Sequence, residues 1–90
     1  MNTKISSETA TEIISCAFAP LHCGAEAFDY HRFVRFRVFD KNGEPLLRME
    51  KLTGLDYGTP ESLRLIIDHA RSSLTRRGYA LDPWEMPTVT

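Results

Sequence analysis

The stretch from Arg32 to Phe39 alternates with a period of two: Val34, Phe36 and Val38 fall on one side, and Phe33, Arg35, Arg37 and Phe39 on the other. Only an extended strand places such residues on opposite faces, so this segment commits the middle of the chain to a sheet. Asp40-Lys41-Asn42-Gly43 follows it, and Asn-Gly between two extended runs signals a hairpin. A two-residue Asn42-Gly43 turn would pair Lys41 with Glu44. It would then set Val38 opposite Leu47, Phe36 opposite Met49 and Val34 opposite Lys51 on the core face. On the other face it would put Phe39 beside Leu46, Arg37 beside Arg48, Arg35 beside Glu50 and Phe33 beside Leu52. A three-residue loop would instead pair Phe36 with Arg48 and bury charge against apolar groups, so the shorter turn is expected.

Helices flank this hairpin. Ser7 or Thr9 can cap a first helix, Thr9 and Glu12 have the spacing of a capping box, and Ala10, Ile13, Ile14, Ala17 and Phe18 recur at helical intervals. That helix should run from about residue 8 to Ala19, where Pro20 removes a donor and disfavours helical backbone in the residue before it. Leu21 to Phe28 reads as a short first strand, with Gly24 as a bulge, ahead of an Asp29-Tyr30 turn. Gly54 to Gly58 reads as a loop. Thr59-Pro60-Glu61 then opens a second helix with a cap, a proline at its first position and an acid near its positive end. Leu63, Ile66, Ile67, Ala70 and Leu74 make its buried stripe, Arg76 and Arg77 suit its negative end, and Gly78 supplies a left-handed stop. The tail from Tyr79 holds Leu81, Trp84 and Met86 among prolines and should pack on something.

The expected fold is α+β in the order α-β-β-β-α: a three-stranded antiparallel meander with both helices on the Val34, Phe36, Val38 face. Ninety residues without an internal linker make one domain, 1–90, with an ordered core of about 8–84 and frayed termini. Eleven basic against twelve acidic residues give a net charge of −1, which leaves no broad attraction to nucleic acid or anionic membrane. The longest apolar run, Ile13 to Leu21, is too short for a bilayer core of about 30 Å. Ile13-Ile14-Ser15-Cys16 looks like a lipoprotein cleavage box but lacks the apolar segment of a signal peptide before it. A cytoplasmic protein with Cys16 and Cys23 as thiols is therefore expected.

The face opposite the core is the most informative surface, with Phe33, Arg35, Arg37 and Phe39 on one strand and Arg48 and Leu52 on the next. Arginines interleaved with aromatics are enriched at protein interfaces, and they can also meet phosphates and stack bases. This face is accordingly expected to bind a protein partner or a second copy in a homodimer, with nucleic acid as the alternative and the C-terminal tail as a covering that would need neither. Metal, cofactor and catalytic groups are not expected. His22, Cys23, His31 and Cys16 have ligand atoms without paired spacing, although a folded-back first strand could bring His22 near His31. His69, Asp68, Ser72 and Ser73 lie on one helix in directions that cannot form a relay. Arg64, Asp68 and Arg71 read as local ion pairing on the helix surface.

The order helix, three strands, helix resembles the double-stranded RNA-binding domain, which implies a groove-spanning grip on RNA through cations at the start of the last helix. Here that helix opens Pro60-Glu61-Ser62-Leu63-Arg64, with an acid in place of the cation. Ile13 to Cys23, with Phe18-Ala19-Pro20-Leu21-His22-Cys23 at a helix end, resembles small bacterial domain families of unknown function. That likeness covers the first quarter of the chain and implies a small α+β fold without a known activity or site.

Overall fold

The computed structural model describes residues 4–87. The frayed ends expected at the termini fall partly on residues 1–3 and 88–90, outside the described residues. The chain folds as α1 (Ser7–Cys16), β1 (His22–Phe28), β2 (Phe33–Phe39), β3 (Pro45–Leu52), α2 (Gly54–Tyr57) and α3 (Pro60–Arg76). The strands form one antiparallel sheet in the order β1-β2-β3. The α+β meander read from the sequence is the one found, with one added helical turn.

Each helix begins where a side chain can satisfy an orphan amide. Ser6, not Ser7 or Thr9, caps α1 by accepting the Thr9 N–H (3.1 Å). The helix ends at Cys16, earlier than expected, and residues 17–20 turn the chain towards β1. Ala17 and Phe18 remain fully buried in that turn, so the apolar spacing foretold their burial but not their conformation. At α3, Thr59 accepts the Ser62 N–H (3.2 Å), Pro60 opens the helix, and Gly78 takes φ +98 just beyond its end. The segment expected as a loop contains α2 instead. The Asp56 carboxylate there accepts both the amide (2.8 Å) and the hydroxyl (3.0 Å) of Thr53, which stabilises a helical turn.

The core lies between one sheet face and the helices. Val34, Phe36 and Val38 are buried against Ile14, Phe18, Leu63, Ile67 and Leu74, and Phe18 stacks on Phe36 with centroids 5.6 Å apart. Ile5, placed in a frayed end by the sequence reading, is 4% exposed; its amide donates to the Gly58 carbonyl (2.8 Å), so the core begins earlier than residue 8.

The hairpin register is partly as expected and partly corrected. Val38 faces Leu47, Phe36 faces Met49 and Arg37 faces Arg48. The loop, however, has three residues: the Asp40 amide donates to the Glu44 carbonyl (2.9 Å), the Gly43 amide donates to the Asp40 carbonyl (3.0 Å), and Gly43 sits at φ +83. That loop alone would bury Arg48, but an extra residue at Leu46 shifts the pairing back before Val38 is reached. A second irregularity between Val34 and Phe36 pairs Val34 with Leu52 rather than Lys51. β1, in contrast, runs against β2 without a break, so Gly24 is not a bulge.

In the β1–β2 turn, Asp29, Tyr30 and His31 take φ of 54, 58 and 63 in succession. Left-handed backbone strains side-chain-bearing residues by roughly 1–2 kcal/mol each, least for Asp. Tyr30 is 92% exposed and contributes no packing to offset that strain. Tyr30→Gly is therefore expected to stabilise the fold by about 0.5–1 kcal/mol, after the greater freedom of the unfolded glycine chain is deducted; chemical denaturation would show the midpoint rising.

Candidate interaction surface

The outer face of the sheet is built from the residues whose side chains β1, β2 and β3 turn away from the core. β2 supplies Phe33, Arg35, Arg37 and Phe39, with both arginines exposed and both phenylalanines half-buried. Opposite them on β1 stand Phe28, Glu26, Gly24 and His22 in that order. Arg48 of β3 lies directly across from Arg37. Leu52 does not belong to this surface. The added residue in β3 turns it to the core face opposite Val34, where it is 3% exposed. Lys51 takes the place foreseen for it beside Phe33, with Nζ 4.2 Å from the ring centroid.

At one end of the face charge and ring pair off locally. Arg35 makes an ion pair with Glu26, and its guanidinium lies 4.9 Å from the centroid of Phe28, which in turn meets Phe33 at 5.6 Å. The Arg32 guanidinium also lies over Phe33, 5.4 Å from its centroid. Cations held against ring faces in this way are favourable by about 0.5–1 kcal/mol each at exposed sites. Arg48 reaches Glu50 at 3.3 Å. Arg37 makes no ion pair among the described residues, although it stands beside a second arginine. Three shallow depressions meet around it: over Gly24, between Phe39 and Leu46, and between Arg35 and Glu50. The first exists because Gly24 has no side chain, and nothing lies within 4 Å of where a Cβ would stand.

The C-terminal tail packs elsewhere. Its Asp82 amide donates to the Ala19 carbonyl (2.8 Å), Trp84 and Met86 border a hollow shared with Arg64 and Asp68 of α3, and Trp84 borders another with Glu12, Ile13 and Cys16 of α1. Arg71 holds the tail in place. Its guanidinium donates to the carbonyls of Ala17 (2.5 Å) and Asp82 (2.7 Å), so it is a clamp rather than part of a surface ion pair. Arg64 and Asp68 do pair, at 3.6 Å. Tyr79, Leu81, Trp84 and Met86 thus pack on the helical side, and the described residues of the tail do not cover the arginine and phenylalanine face.

Comparison with family models, with curated proteins and with solved structures yields no match to this chain. Its own geometry therefore carries the functional reading. His22 opens the seven-residue β1 and His31 lies beyond its other end, so the strand separates them instead of bringing them together. Among the described residues no group of three or more His, Cys, Asp or Glu could hold a metal ion, and no helix is long and apolar enough to cross a membrane.

Cys16 is exposed and Cys23 half-buried, both as free thiols. Burial, aided by the nearby Cys16, pushes the Cys23 thiol up to about 12. Cys23 should consequently stay protonated and react slowly near neutral pH. In timed alkylation read by mass spectrometry, Cys16 is expected to label first; equal labelling would contradict this ordering. Because the folded thiol holds its proton above the ordinary value of 9.0, the unfolded chain releases its proton first as pH rises. Cys23 therefore makes stability fall between pH 9.0 and about 12.

Proposed function

We propose that this chain is a non-enzymatic interaction or regulatory domain that self-associates or binds a protein through the outer sheet face and the adjoining strand edge. The observation that carries this reading is Arg37, next to Arg48 and without an ion pair among the described residues, on a face flanked by Phe33 and Phe39. Arginine and aromatic side chains are the usual anchors of protein interfaces, and two adjacent guanidiniums favour a partner that brings carboxylates. A cytoplasmic setting is part of the proposal and fits two free thiols.

The double variant Arg35→Glu with Phe39→Ser tests it. Both positions are exposed or half-buried on the outer face, so circular dichroism should be unchanged while assembly mass and partner capture fall. If neither mass nor capture changes, the reading is wrong.

Nucleic-acid binding by the same face is the alternative, and the Arg37–Arg48 pair is the feature in its favour. Base stacking, however, needs free ring faces, and Arg32, Lys51 and Arg35 already lie against Phe33 and Phe28. Affinity for an oligonucleotide that collapses as salt rises would support the alternative, and no binding at low salt would remove it.

A further inference from the structure

The two edges of the sheet are unlike. β3 begins at Pro45, which has no amide to donate, and its pairing is interrupted twice. Prolines and bulges of this kind blunt a strand edge against further pairing. β1 has neither. Its seven residues keep one register against β2, and Gly24, Ala25 and Ala27 leave its backbone thinly covered. Such an edge offers a row of amides and carbonyls to another strand.

We infer that β1 pairs antiparallel with β1 of a second copy, across a two-fold axis at Ala25, to make one six-stranded sheet. The inference rests on the reading of the domain as an interaction module and names its partner. A two-fold axis perpendicular to the sheet keeps both outer faces on the same side, and full overlap of the seven residues places each Ala25 opposite its counterpart. Gly24 then faces the second copy's Glu26.

Charge complementarity selects this arrangement. Arg37 lies directly across from Gly24 within one copy. The second copy's Glu26 would stand in the same row one strand further on, two strand spacings or about 10 Å from Arg37. The open space over Gly24 lets the two long side chains meet, because no side chain stands between them. The row then reads Arg37, Gly24, and the second copy's Glu26 and Arg35, with one carboxylate between two guanidiniums. Symmetry supplies a second such row. Packing the two outer faces together would instead press the adjacent Arg37 and Arg48 of each copy against those of the other. The β1 side chains that the seam would bring together on the helical side, Cys23, Ala25 and Ala27, are all small.

The test is sedimentation of the full chain from micromolar to millimolar concentration, comparing the wild type, Gly24→Glu, and the double variant Arg35→Glu with Phe39→Ser. A carboxylate at position 24 has room in the monomer and would face Arg37 there, but in the paired sheet it would oppose the second copy's Glu26. The expected result is a wild-type dimer whose Kd rises at least about tenfold in Gly24→Glu, while the thermal midpoint at low concentration holds or rises. A wild type that is monomeric throughout overturns edge pairing, and partner capture then decides the reading of the face separately. A dimer that survives Gly24→Glu but is lost in the double variant also overturns edge pairing, because it assigns assembly to the face. A dimer weakened by Gly24→Glu upholds edge pairing whether or not the double variant also weakens it, because Arg35 flanks Glu26 in the paired row; survival of the double variant would in addition remove the face from assembly.

Discussion

Phe36→Ala should remove about 3–5 kcal/mol of stability, measured by urea denaturation followed in the far ultraviolet. Phe36 is 1% exposed at the centre of β2, between the neighbouring strands and under Phe18. Truncating it empties the middle of the core between Met49 on one side and Ala25 on the other. A domain of this size has about 5–15 kcal/mol in total, so the variant should be marginal at best. A loss below about 1 kcal/mol would mean that the ring is not packed as described.

Arg71→Met should have the second largest effect, and the sole tryptophan reports it. The guanidinium makes two charge-assisted hydrogen bonds that join α3 to the end of α1 and to the tail. Methionine keeps much of the aliphatic stem but leaves the Ala17 and Asp82 carbonyls without this donor. A loss of about 2–3 kcal/mol is expected, since hydrogen bonds to charged groups are worth roughly 1.5–3 kcal/mol when buried and less where solvent reaches them. Trp84 lies beyond the clamp in the tail and is half-buried. Its emission should therefore shift to the red under conditions where circular dichroism still shows a folded core. Unchanged emission and unchanged stability would show that the tail is held by its apolar contacts alone.

The residues that were readable from the sequence are those whose signal is local. The period of two in β2, the cap and proline that open α3, and Gly78 at its end each act within a few residues, and each is found as expected. Leu52 lies on the core face rather than the outer one because strand pairing is cumulative: one extra residue in β3 reverses the face of everything beyond it. The turn departs from the two-residue form for a related reason. A three-residue loop conflicts with the apolar pattern only until Leu46 bulges and restores the register, and the one local sign of that bulge is the neighbouring Pro45. Phe33, Arg35 and Arg37 share one face because the period of two in β2 is unbroken, both irregularities adding residues to β3, and Arg48 joins them because it lies between those irregularities. The role of Arg71 was not legible, since its partners are backbone carbonyls 54 and 11 residues away. Nor could the sequence tell which side the tail covers, although that decides whether the arginine face is open.

The most direct test of an interaction role is the solution mass by light scattering across a wide concentration range, at low and high salt, for the wild type and for Arg35→Glu with Phe39→Ser. The account predicts a wild type that rises from its monomer mass of 10.3 kDa towards twice that value, and a double variant that stays monomeric with an unchanged fold. A wild type and a variant with the same mass at every concentration and salt, together with the same capture of partners, would contradict it.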